Sequence, residues 1–245
     1  MNAALEAHDI TMRFGGNIAV DAVSLNAEAG RVTGLIGPNG AGKTTLFNTI
    51  CGLLTPTSGA VYLSGTNVTK LKPFKRARQG LARTFQRLEL WSLLTVRENV
   101  TVAAELRARY GKDGNDPRSE VEAIIDSVGL SSKIDARVDE LPTGQARLVE
   151  IARALATKPS VLLLDEPASG LDDRETDQLG NLLRTLASQG MAVLLVEHDV
   201  ELVMQVCDFI YVLDFGRIIA TGTADQVRRD EAVLAAYLGS NMGTT

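Results

Sequence analysis

Apolar positions along the chain follow two rhythms. Short unbroken runs, such as VLLL at 161–164 and AVLLV at 192–196, predict strands covered on both faces. Strand-like runs occupy 20–25, 32–36, 61–63, 161–164, 193–196 and 209–213, with a further one, LARTFQ, at 81–86. Longer amphipathic stretches at 43–51, 96–110, 120–128, 145–157, 175–188, 200–206 and 231–238 predict helices. Strands alternating with helices predict an α/β fold with a mostly parallel sheet.

The alternation breaks between about residues 87 and 142. There the pattern is almost all helical, interrupted by the polar stretch GKDGNDP at 111–117, which predicts a turn. The expected organisation is a core built from 1–86 and 143–245, including C-terminal helices, with a helical subdomain at 87–142 inserted into it. The terminal SNMGTT is expected to fray.

Composition narrows the partners. The 245 residues carry 25 basic and 30 acidic side chains. That balance offers no surplus of positive charge to draw a nucleic-acid backbone or an anionic bilayer over the whole surface, so no nucleic-acid partner is expected. Cys51 and Cys207 sit in apolar surroundings and are expected to be buried thiols in a reducing compartment. The first residues lack the basic start and apolar run of an export signal. No apolar stretch approaches the ~20 residues that span a bilayer, so a membrane role would come through a partner.

Candidate chemistry begins at GPNGAGKTT, residues 37–45. Gly37, Gly42, Lys43 and Thr44 fit G-x-x-x-x-G-K-[ST] between a predicted strand and a predicted helix. Glycines let backbone N–H groups wrap an anion, and the helix that follows adds its positive end. Gly37, Pro38, Asn39, Gly40, Ala41, Gly42, Lys43, Thr44 and Thr45 are therefore the expected phosphate-binding residues. Lys43 reaches the outer phosphates as a point charge, and the Thr44 hydroxyl suits a magnesium shell.

A second signal is VLLLDEP, in which a buried strand ends in two carboxylates. Ligands of open parallel sheets lie beyond the carboxyl ends of strands. Asp165 is expected to meet magnesium and Glu166 to polarise the attacking water. VLLVEHD repeats the design and brings His198 to the same edge, within reach of a terminal phosphate. Gln86, at the end of LARTFQ, can bind the metal or the reactive water and link nucleotide state to the helical insert. His8, by contrast, reads as a structural residue of the first strand.

Together GPNGAGKTT, RTFQ, LPTGQ, LLLDEPASGLD and EHD resemble, in order and rough spacing, the ATP-binding subunits of ABC transporters. The resemblance runs from Ile10 to Leu238. It implies a P-loop NTPase core with a mostly parallel sheet, an antiparallel β edge and an inserted helical subdomain, using ATP and Mg2+. It also implies that Phe14 stacks on the nucleotide base. Thr143, Gly144 and Gln145 would belong to the signature loop, and Ser169, Gly170, Leu171 and Asp172 to a loop crossing between two copies. ATP would then lie between the phosphate loop of one copy and the signature loop of another. MRFGGNIAVD, GLARTFQRLELWSLLTVRENV and AAYLG resemble more narrowly the ATPases of branched-chain amino acid importers. That likeness implies transmembrane permease subunits, a second ATP-binding subunit, an extracytoplasmic substrate-binding protein acting indirectly, and a place on the cytoplasmic face of the cell membrane. Trp91, Leu93 and Leu94 would grip a short helix of the permease.

One motif departs from the pattern. The family's usual Leu-Ser-Gly-Gly-Gln reads LPTGQ at 141–145. Pro142 has neither hydroxyl nor N–H to offer a γ-phosphate, whereas Thr143 carries a hydroxyl one position later. The expectation is a working but slower site. Two rival readings are a soluble ABC-type ATPase of DNA repair or ribosomes and a P-loop kinase of a small acceptor. The first usually carries long coiled coils or two ATP-binding halves in one chain; the second needs an acceptor pocket and lid arginines.

Overall fold

The computed structural model describes residues 3–85, 87–110 and 116–240. Gln86, residues 111–115 of the predicted turn and residues 241–245 of the terminal stretch lie outside the described residues.

Two sheets enclose one helix. Strands β1 (Ala3–Phe14), β2 (Asn17–Glu28), β4 (Ser58–Leu63) and β5 (Thr66–Asn67) form an antiparallel sheet in the order β2-β1-β4-β5. The second sheet has six strands: β3 (Val32–Ile36), β6 (Leu81–Arg83), β7 (Val161–Asp165), β8 (Ala192–Val196), β9 (Phe209–Asp214) and β10 (Arg217–Gly222). Its order is β10-β9-β3-β8-β7-β6, parallel throughout except for β10, which runs antiparallel to β9 at the edge.

Burial explains the unbroken apolar runs. All five residues of β3, β7 and β8 are buried. Successive strand residues face opposite sides. Leu162, Leu164, Val193 and Leu195 join the core shared with the outer helices, while Leu163, Leu194 and Val196 join the core on the other side. That second core contains Leu46, Phe47 and Ile50 of α1 (Lys43–Cys51), together with Leu5, Ile10, Val20 and Leu25 of the antiparallel sheet. The helix that follows the glycine-rich loop 37–42 is thus clamped between two sheets.

The remaining helices are α2 (Pro73–Ala77), α3 (Val96–Tyr110), α4 (Val121–Ser127), α5 (Thr143–Ala156), α6 (Asp173–Ser188), α7 (Val200–Val206), α8 (Ala224–Arg228) and α9 (Glu231–Ser240). Helices α3 and α4 pack on α5, and their buried Val96, Val100 and Ile125 belong to the same core as Val149 and Ile151. The stretch 87–142 is less helical than its pattern predicts: 87–95 is extended or turning, and a 3-10 turn at Pro117–Glu120 precedes α4. The LARTFQ strand stops at Arg83. Cys51 is buried and Cys207 partly so; burial raises both thiols, that of Cys207 to about 12. His8 lies on the surface of β1, with Nε2 2.9 Å from Glu6 Oε2, beside the Tyr62 ring.

Candidate functional site

Three parallel strands, β3, β8 and β7, lie side by side and deliver their carboxyl ends to one edge. β3 runs into the loop 37–42, β7 ends in Asp165 and Glu166, and β8 leads to Glu197 and His198.

The loop depends on its glycines. Gly37 has φ +155°, and a Cβ there would stand 2.0 Å from the Leu213 carbonyl oxygen. Gly42 has φ +108°, with the Ala19 oxygen 2.5 Å from the corresponding point. Side chains at either site would force neighbouring backbone apart. Pro38 is half-buried, Asn39 and Gly40 are exposed, and Ala41 is buried. Lys43 folds back into the loop: Nζ donates to the carbonyls of Gly37 (2.6 Å) and Pro38 (3.1 Å). Burial lowers the pKa of this ammonium, against the opposing charges of Glu166 and Asp165. A buried cation within electrostatic reach of two carboxylates, in a glycine-rich loop at a helix start, can take part in binding an anion. Thr44 is exposed and Thr45 half-buried in the first turn of α1.

Asp165 is buried, and burial raises its pKa against the pull of Arg83, whose Nη2 donates to Asp165 Oδ2 at 2.9 Å. Arg83 Nη1 also reaches Asn48 Oδ1 at 2.6 Å, and its guanidinium lies 4.8 Å from the Phe85 ring centre. Glu166 adopts φ +51°, rare for a residue with a side chain. Its N–H donates to Val196 O at 2.8 Å, and its Oε1 lies 2.5 Å from His198 Nε2. The structure therefore brings together Lys43, Asp165, Glu166 and His198.

Thr143, Gly144 and Gln145 stand elsewhere, at the start of α5. A Cβ on Gly144 would meet Leu171 Cδ2 at 2.8 Å, Glu175 Oε2 at 2.9 Å and Gly170 O at 3.0 Å, so a larger residue would push these neighbours aside. Pro142 holds the capping position without a side-chain cap bond, and Thr143 is exposed. Asp172 caps α6: its Oδ1 accepts from Glu175 N at 2.7 Å, and Glu175 Oε2 accepts from Asp172 N at 3.1 Å. Its carboxylate is thus committed to a helix end.

A family model of ABC transporters matches residues 20–169, and one of branched-chain amino acid ATP-binding cassette transporters matches 217–241. The high-affinity branched-chain amino acid transport ATP-binding protein BraF of Pseudomonas aeruginosa is 42% identical, covering 96% of this chain and 97% of BraF. This chain belongs to the ABC transporter family. Among solved structures, the ADP conformation of the ATP-binding cassette MJ1267 matches with a TM-score of 0.87 at 33% identity, covering 98% and 99% of the two chains. A dimeric post-hydrolysis state of the cassette MJ0796 bound to ADP and Pi matches with a TM-score of 0.79 at 27% identity, covering 90% and 98%.

On this ABC cassette, Phe14 is 48% exposed beside the turn between β1 and β2. Trp91 and Leu93 are exposed and Leu94 half-buried; the Arg153 guanidinium lies 4.2 Å from the Trp91 ring centre. Trp91 borders, with Leu53, Phe74, Leu106 and Tyr110, a groove of about 760 Å³. Arg83 and Glu197 went unassigned in the sequence. The signal available was a charged residue beside an apolar strand end, in RTFQ and in EHD, but their partners lie 82 and 29 residues away.

Proposed function

We propose that this chain is the ATP-hydrolysing subunit of a membrane importer for branched-chain or related small amino acids, acting as one of a pair of cassettes beneath permease subunits. The observation that carries the reading is the phosphate loop with Lys43 facing Asp165 and Glu166, and with His198 seated against Glu166. The loop and Lys43 bind the phosphates, Glu166 orients and deprotonates the attacking water, and His198 holds Glu166 and meets the terminal phosphate. Phe14 offers its exposed ring to the base.

The donor set suits magnesium: an exposed Thr44 hydroxyl and a carboxylate at a strand end are hard oxygen ligands. When bound, Mg2+ neutralises charge on the outer phosphates. Thr44 and Asp165 would hold it, Asp165 while sharing one oxygen with Arg83; Gln86, the third candidate, lies outside the described residues.

The start of α5 packs on the segment 170–175 of its own chain and leaves Thr143 exposed. That placement, with the dimeric MJ0796 cassette, supports a site completed by Thr143, Gly144 and Gln145 of a second copy. The division into a core and an insert at 87–142 belongs to this reading, with the groove beside Trp91 receiving the permease. Among the described residues no helix is long and apolar enough to cross a membrane, which accords with attachment through partners. The amino acid cargo rests on likeness to BraF.

Purified chain should release phosphate from ATP without forming a phosphorylated product, and Lys43→Ala should weaken ATP binding about tenfold or more. Parent chain that binds no ATP would overturn the ATPase reading. Cells lacking the gene should lose uptake of labelled leucine, isoleucine or valine; unchanged uptake would remove the cargo.

A further inference from the structure

We propose that Glu197 is a positioning residue for hydrolysis, its carboxylate clamping the Glu166 turn to the His198 turn. Glu197 is 5% exposed. Its Oε1 accepts from Ala168 N at 2.7 Å, and its Oε2 accepts from His198 N at 3.0 Å. One side chain therefore fixes backbone on both turns that meet at the Glu166–His198 contact.

The stitching is complete on either side of Glu166. Its own N–H is bound by Val196 O at 2.8 Å, and two residues later Ala168 N is bound by Glu197. Between them the turn closes with Ser169 N donating to Glu166 O at 3.2 Å. This network holds Glu166 at φ +51°, a conformation its side chain disfavours. Burying a carboxylate is costly, and burial raises the pKa of Glu197 despite its N–H partners. A carboxylate supplies acceptors to both turns at once; an amide has only one oxygen for the two.

The proposal rests on Glu166 and His198 acting in hydrolysis, so Glu166→Gln is measured alongside. Glu197→Gln should lower kcat about tenfold through loss of one acceptor. KM and the affinity for a fluorescent ATP analogue should stay within about twofold, since the phosphate loop is untouched. Groups that act as a unit are strongly non-additive, so on a His198→Ala background the same change should cost less than about twofold. If the glutamine variant does not fold, Glu197→Asp, which draws the carboxylate back by one methylene, replaces it with the same expected split. Parental kcat in the folded variant, a loss confined to ATP affinity, or an undiminished loss on the His198→Ala background would each overturn the clamp. If Glu166→Gln keeps parental turnover, the underlying reading falls and takes the proposal with it. If Glu166→Gln is inactive while the Glu197 variant runs at full rate, the clamp alone falls.

Discussion

Glu166 Oε1 and His198 Nε2 stand 2.5 Å apart although they follow two different strands. The contact exists because β7 and β8 are parallel neighbours in register, with Asp165 opposite Val196. At the carboxyl ends of parallel strands, where ligands of such sheets lie, a carboxylate held in a disfavoured backbone conformation is a candidate for chemistry. Glu166→Gln preserves shape and the partner imidazole but removes the proposed base. Phosphate release should fall by about a hundredfold or more, while ATP affinity persists. Size-exclusion chromatography with ATP should then show a stable dimer. Hydrolysis at the parental rate would reassign the base.

The glycines of the phosphate loop are not equivalent. A Cβ on Gly37 would penetrate the Leu213 carbonyl, whereas at Gly40 nothing lies within 4 Å of the added carbon, although φ is +81°. Gly40→Ala therefore bears only the left-handed backbone cost, about 1–2 kcal/mol. Gly37→Ala must also displace the end of β9, bringing its cost to about 3 kcal/mol or more. Urea unfolding midpoints should rank the two variants in that order; equal midpoints would mean that β9 yields freely.

Arg76 supports the site from behind. It is wholly buried, and its guanidinium donates to Thr49 O, Ile50 O, Thr69 O and Leu71 O at 2.5–3.0 Å. Two of these carbonyls end α1, the negative end of the helix that opens at the phosphate loop. Removing the fork strands several buried acceptors, so Arg76→Met should destabilise the chain by about 3–5 kcal/mol. Arg76→Lys should recover little, because one ammonium cannot reproduce the planar fork. Chemical denaturation measures both; a mild loss with full rescue by lysine would show that the positive charge alone matters.

What could be read along the chain was local. β3, β7 and β8 announced themselves as apolar runs, and α1 followed from the loop that precedes it. The extent of β1, of which only His8 reads as a strand residue, was obscured because AALEAHDITMRF bulges against both neighbours, breaking the alternation that marks a strand. β10 hid because RIIATG is an edge strand with exposed and half-buried positions beside β9. The helix expected at 120–128 begins instead as a 3-10 turn, because Asp116 caps Pro117–Glu120. The ionic partners were the least legible part. Nothing near Arg83 in the chain hints at Asp165, and Arg76 sits in PFKRA like any surface cation until folding closes the end of α1 and the carbonyls of Thr69 and Leu71 around it.

The signature segment supplies the last prediction. Pro142 occupies the capping position of α5 without offering a hydroxyl, while Thr143 presents one, exposed, at the next position. A Cβ on Gly144 would displace the Leu171 and Glu175 side-chain ends. If this helix start covers ATP on a second copy, the Thr143 hydroxyl replaces the missing serine as a donor to the terminal phosphate. Thr143→Val keeps the bulk and removes the donor, so ATPase should fall about tenfold to a hundredfold. ATP binding to the separated subunit should not change, because the phosphate loop of each chain is intact. Pro142→Ser with Thr143→Gly moves the hydroxyl to the capping position, where it also stabilises α5 by about 1 kcal/mol. That double variant should hydrolyse ATP at or above the parental rate. Parental turnover in Thr143→Val would mean that backbone N–H groups and the helix end alone cover the phosphate.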